Sequence, residues 1–121
     1  MAQFVILLVE DDIIQREVMA DLLKDEGFEV IECSTGESAE LVVATSGTEL
    51  RALVADNGLA GAMSGIELAA YARERFPRMN IILMSGQQVR HMPRSITFLH
   101  KPFPPALLLE AIRGEGRAAI P

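Results

Sequence analysis

Residues 4–9 read "FVILLV", six apolar positions without a polar interruption. A strand with one wet face alternates polar and apolar residues, whereas an unbroken run of this length marks a strand covered on both faces. Such strands belong to parallel sheets sandwiched between helices. The rest of the chain keeps to that plan. Ile14, Val18 and Leu22 recur at helical spacing, Leu23 widens the stripe, and Gly27 marks a stop. Phe28–Cys33 alternates like a strand. Ser34-Thr35-Gly36-Glu37 has the spacing of a capping box and predicts a helix to about Ala44. Leu50–Ala55 is the next apolar strand, and Ser64-Gly65-Ile66-Glu67 is a second capping box. It opens a helix through Ala69, Ala70 and Tyr71 that closes before Pro77. Asn80–Met84 and Ile96–Leu99 read as strands. Pro104 and Pro105 suit the first turn of a last helix, which runs through Leu107–Ile112 and stops at Gly114. Strands and helices alternate, so the expected fold is α/β with a parallel sheet and helices on both faces.

The link between the last two strands breaks the pattern. Residues 86–95, "GQQVRHMPRS", barely span a crossover, and Pro93 would cost a helix crossing it ~3 kcal/mol. A loop or a single turn is expected there.

The chain has 121 residues, half of them hydrophobic, which suits one domain with one core. Its net charge of -6 and the lack of a Lys/Arg run argue against a nucleic-acid partner. Cys33 is the only cysteine, so no intrachain disulfide forms, and a small core residue is the simplest reading of it. The first apolar run is far too short to span a bilayer and no basic segment precedes it. A soluble cytoplasmic protein with no membrane partner is expected. Residues 114–121 read as a short tail, so the whole of 1–121 is expected to be a single domain.

In folds of this type the ligand site lies beyond the carboxyl ends of the strands. The first strand ends on Glu10 and Asp11, the third on Asp56, the fourth on Ser85 and the fifth on Lys101. Three carboxylates on rigid strand ends suit a hard divalent cation such as Mg²⁺, which takes oxygen ligands and keeps several waters. The charges then balance, three negative against Mg²⁺ and Lys101. A carboxylate so neutralised can act as nucleophile towards a phosphoryl group, and Ser85 and Lys101 can donate to its oxygens. Asp12, with Gln15 three residues on, reads as a helix N-cap. His91 and His100 have no second His or Cys beside them and read as surface residues.

The pieces "ILLVEDD", "LVADNGLAGAMSG", "IILMSG" and "FLHKPF", in this order and each at a strand end, resemble the receiver domain of two-component response regulators. The resemblance implies a flavodoxin-like, doubly wound five-stranded sheet in the order 2-1-3-4-5, with the helix between strands 4 and 5 shortened or absent. It implies that Asp56 is the phosphoacceptor. Asp11 would be a direct metal ligand, Glu10 would act through water, and Gly58 would offer its backbone carbonyl. Ser85 would be the switch hydroxyl, Lys101 the phosphoryl-binding cation, and Phe98 the aromatic that moves with Ser85. Lys101-Pro102 would be a cis peptide. Expected partners are a sensor histidine kinase or a histidine phosphotransfer protein, and the only chemistry is self-phosphorylation and self-dephosphorylation. The product would either regulate a bound target or serve as a phosphoryl carrier or sink.

One rival uses the same nucleophile, the aspartate-dependent phosphatases of the haloacid-dehalogenase type. They place a second acid two residues after the first, where this chain has Gly58. The chain also departs from the receiver pattern. Ala60 stands where a proline is usual, "GLAGAMSG" is one residue longer than the common form, and Gly58 and Gln87 occupy the variable positions flanking Asp56.

Overall fold

A computed structural model describes residues 4–90, 92–93 and 95–114. The expectations for His91 and for the tail beyond Gly114 lie outside the described residues. The elements are β1 (Val5–Val9), α1 (Ile13–Asp25), β2 (Glu29–Cys33), α2 (Gly36–Ser46), β3 (Leu50–Asp56), α3 (Gly65–Arg75), β4 (Asn80–Ser85), β5 (Thr97–His100) and α4 (Pro105–Arg113). A single 3₁₀ turn, Gly47–Glu49, which the sequence pattern does not announce, joins α2 to β3. The five strands form one parallel sheet in the order β2-β1-β3-β4-β5, the flavodoxin-like arrangement.

Side-chain alternation divides the interior into two layers. Leu7, Val9, Leu53, Ala55, Ile81 and Leu83 face α2 and α3. Ile6, Leu8, Val54, Ile82 and Met84 face α1 and α4. The three central strands are therefore apolar at successive positions, which is what the run at 4–9 demanded. Cys33 is half-buried at the edge of the first layer.

No helix joins β4 to β5 among the described residues of that link. Val89 and Met92 of the link pack instead on the α3 side of the sheet, where a crossover helix would lie. Arg73 of α3 replaces part of what a helix would supply. Its guanidinium donates to the carbonyls of Pro77 (2.7 Å) and Ser95 (2.8 Å). Lys101-Pro102 is a cis peptide.

The helix starts follow local chemistry, with one correction. Asp12 caps α1, its carboxylate accepting from the Gln15 amide at 3.0 Å. Ser64 and Glu67 complete a reciprocal capping box at α3. At α2 the cap is Thr35, which accepts from the Ser38 amide, and not Ser34. Glu37 does not fold back to close a box. Its carboxylate accepts from the amides of Ala62 and Met63, each at 3.3 Å, so a tertiary contact takes the group that a local rule assigned to the helix. α4 stops at Gly114, which has φ 78°, a left-handed conformation that glycine adopts without strain.

Candidate functional site

The strand ends bring together the residues that the sequence singled out. Main-chain bonds fix their platform. The Glu10 amide donates to the Cys33 carbonyl (3.1 Å), the Asn57 amide to that of Met84 (2.7 Å) and the Lys101 amide to that of Ser85 (2.8 Å). Each ladder thus extends one step past its strand, and the side chains there inherit the rigidity of the sheet.

Oxygens of Glu10, Asp11 and Asp56 all lie within 4.8 Å of one another. Lys101 reaches into this cluster. Its ammonium donates to Asp56 Oδ1 (2.7 Å), Glu10 Oε1 (2.9 Å) and Gln15 Oε1 (2.8 Å). The other Asp56 oxygen accepts from the Gly58 amide (2.9 Å), the second Glu10 oxygen from the Asp12 amide (3.1 Å), and Asp11 from the Ala60 amide (3.1 Å). Glu10 is 2 % exposed and Asp56 8 %, so one cation and a few amides hold two nearly buried carboxylates.

Electrostatics records the crowding. Burial raises the Glu10 carboxyl above its ordinary value and the neighbouring Asp56 adds to the rise, against the Lys101 and Asp12 hydrogen bonds that favour the anion. Burial alone would lower Lys101, but hydrogen bonds and attraction from Asp56 and Glu10 outweigh it and raise the ammonium above its ordinary value. Lys101 is therefore charged throughout the neutral range. Three carboxylates against one ammonium leave two negative charges uncompensated. This donor set of clustered, hard oxygens fits a divalent cation such as Mg²⁺ in chemistry and in charge.

The remaining candidates surround this centre. Ser85 is buried, with its hydroxyl accepting from the Gln87 amide at 3.0 Å. Phe98 is half-buried and pairs in register with Leu83, one step from Ser85 on the same face of the sheet. Its ring meets exposed His100 edge-on at 6.3 Å. Gly58 sits so close to Asp56 that a Cβ there would lie 3.2 Å from the carboxylate. Gly65 admits no side chain at all. A Cβ would collide with the carbonyl of Asp56 and with Asn57, so α3 can start against the end of β3 only because residue 65 is glycine.

Two functional neighbours escape sequence reasoning. Gln15 serves Lys101 from 86 positions away, and only the fold brings them together. A largely apolar groove of about 610 Å³ opens beside the site between α1 and the start of α4. Ile14, Val18, Phe103 and Leu108 line it, and Lys101 and Gln15 border both groove and acid cluster. Ile14 is 70 % and Val18 64 % exposed. The helical spacing of these residues was visible, but the periodicity that predicts a helix does not say which apolar residues stay uncovered.

A five-stranded 2-1-3-4-5 sheet carrying carboxylates at the ends of strands 1 and 3 and a lysine after strand 5 defines a class of signalling domain. The chain belongs to the response regulator receiver domain family, whose profile matches residues 6–113. It is similar to the response regulator protein FleR of Pseudomonas aeruginosa, 30% identical over 122 residues that cover 96% of this chain and 25% of FleR. The chain thus spans a quarter of that relative. A response regulator receiver protein from Sinorhizobium medicae has the same fold, with TM-score 0.87, 29% identity and 96% of both chains covered. A CheY-like receiver domain protein from Methanospirillum hungatei shares the fold at TM-score 0.83 and 24% identity, over 96% of this chain and 95% of the other. Family membership places the chain in two-component signalling, whose response regulators work with histidine kinases. No described helix is long and apolar enough to cross a membrane.

Proposed function

We propose that Asp56 accepts a phosphoryl group from a phosphohistidine of a sensor kinase or histidine phosphotransfer protein. A carboxylate oxygen attacks phosphorus, the P–O bond forms, the P–N bond breaks, and the imidazole leaves with a proton. The carrying observation is the Lys101 ammonium 2.7 Å from Asp56 within a cluster of three acids. Glu10, Asp11, Asp56 and the Gly58 carbonyl would hold Mg²⁺. When bound, the ion supplies the positive charge that the cluster lacks and offsets the phosphoryl oxygens. Lys101 keeps an N–H on the transferred group, and Ser85 turns its hydroxyl towards it. Phe98, half-buried beside Ser85, follows that movement. The groove bordered by Lys101 and Gln15 favours a protein donor, since a partner seated there lies against the acceptor. No separate substrate is turned over. The phosphorylated chain works by changing what it binds, in a cytoplasmic pathway.

Incubation with Mg²⁺ and acetyl phosphate tests this reading. Intact-mass measurement should show one added, base-labile phosphoryl group, absent when Mg²⁺ is chelated and absent in Asp56→Asn. Undiminished labelling of Asp56→Asn would reject the assignment.

A further inference from the structure

The opposite edge of the sheet carries a second concavity. A cavity of about 460 Å³ lies where β3 and β4 begin, on a floor that includes Leu50 and Phe76, with Thr48, Arg51, Arg75 and Arg78 around it. The seven residues of β3 separate it from Asp56 by about 20 Å. Its volume falls within the range of small-molecule sites.

Three observations make this more than a solvated rim. First, a bulge aims Arg51. Val5 pairs with Leu50 but Ile6 pairs with Ala52, so Arg51 is the extra residue, a device that redirects a side chain. Second, two guanidinium groups are braced by aromatic rings. Arg51 lies 4.8 Å from the Phe4 centroid and Arg75 4.7 Å from that of Tyr71. Third, the charges are unbalanced in an unexpected direction. The chain has 17 acids and 11 Lys/Arg, and Arg16, Lys24, Lys101 and Arg113 each pair with a carboxylate. Among the described residues no carboxylate pairs with Arg51, Arg75 or Arg78. Attraction to the carboxyl end of α3 accounts for Arg75, which lies in its last turn, but not for the other two.

We propose that this cavity binds a phosphorylated organic anion of nucleotide size. Three arginines and a threonine lining one hollow suit the several oxygens of a phosphate better than a lone carboxylate, and planar guanidinium forks bind such oxygens in pairs. The apolar floor takes the organic body. The attraction is electrostatic and lies at the surface, so binding weakens as salt rises.

The test uses the full chain carrying Asp56→Asn, with Mg²⁺ chelated, so that the acid cluster contributes nothing. Backbone amide resonances are followed during titration with adenosine diphosphate, inorganic phosphate and adenosine. Saturable shifts at Thr48, Leu50, Arg51 and Met79 are expected with the diphosphate, weaker ones with phosphate and none with adenosine. Arg51→Ala/Arg78→Ala should bind the diphosphate about tenfold or more weakly, and Arg78→Ala alone should lose part of that. Arg113→Ala, which removes a cation already paired with Glu26, should bind normally. Shifts that do not saturate, that chloride reproduces at equal ionic strength, or that survive in the arginine variants would overturn the proposal. Equal affinity for phosphate and the diphosphate would overturn the assignment of an organic body.

Discussion

The loop after β3 and the link after β4 stand side by side at the acid edge, and they are held in opposite ways. The β3–α3 loop, residues 57–64, contains no proline to stiffen it. Side chains from elsewhere fix its middle, where Asp11 takes the amide of Ala60 and Glu37 those of Ala62 and Met63, and the loop's own Asn57 ties its start to the Ile66 amide of α3. Among its described residues the β4–β5 link carries no helix and is fastened mainly at its ends. Ser85 takes the Gln87 amide, the Ile96 amide reaches the Pro93 carbonyl, and Arg73 holds Ser95. Between those ends it relies on Val89 and Met92 resting on the core. What holds a loop is how many of its main-chain groups are claimed by rigid elements.

Four measurements would break or sharpen that contrast. The largest effect is expected from Gly65→Val, which forces a side chain into the carbonyl of Asp56 and pries α3 from the loop's end. Overpacking of this kind costs about 3 kcal/mol, read by chemical denaturation. A fall below 1 kcal/mol (about the scatter of surface substitutions) would show that the loop yields easily. Next, Arg73→Met should cost about 1 kcal/mol and speed amide exchange in the link but not in residues 57–64, since it frees the Ser95 carbonyl, which belongs to the link, and the Pro77 carbonyl ahead of β4. Equal acceleration in both would mean that they form one cooperative unit.

In the unaltered protein, amides of the link should exchange faster than those of 57–64. Phosphorylation should narrow the gap by slowing the link, because Ser85 is drawn towards Asp56. A link already as protected as the loop would contradict its loose fastening. The smallest effect belongs to Glu37→Gln. Hydrogen bonds from the loop, that from Ala62 first, lower the Glu37 pKa in the folded chain. A lowered value means that its stabilisation is present above the unfolded value and is lost as pH falls through the folded one. The wild type should therefore exceed the variant in stability at neutral pH, and the gap should close in acid. A gap that persists in acid would detach the effect from the Glu37 charge.

Much of this was readable from neighbouring residues. Apolar runs placed the five strands to within about a residue, and the residues at their ends gave the acid cluster, Ser85 and Lys101. The Asp12 cap and the Ser64–Glu67 box were legible because both partners lie within one helical turn. The misreading at Ser34 has the same root. Glu37 stands at the spacing of a box, yet amides 25 and 26 positions away compete for it and win. The contacts of Gln15 with Lys101 and of Arg73 with Ser95, and the bulge that turns Arg51 outward, depend on register between distant segments. No local pattern encodes them.

Lys101 closes the account of the site. An ammonium has three protons, and here each already has an acceptor. A new anionic oxygen at Asp56 therefore cannot simply be added to the inventory of this lysine. It arrives by exchange, and of the three incumbents the neutral amide of Gln15 is the cheapest to dismiss. Gln15 belongs to the first turn of α1 and borders the apolar groove. Occupancy at the end of β3 would thus be announced on a different helix as the departure of a hydrogen bond, a subtraction that a partner resting in that groove is positioned to notice.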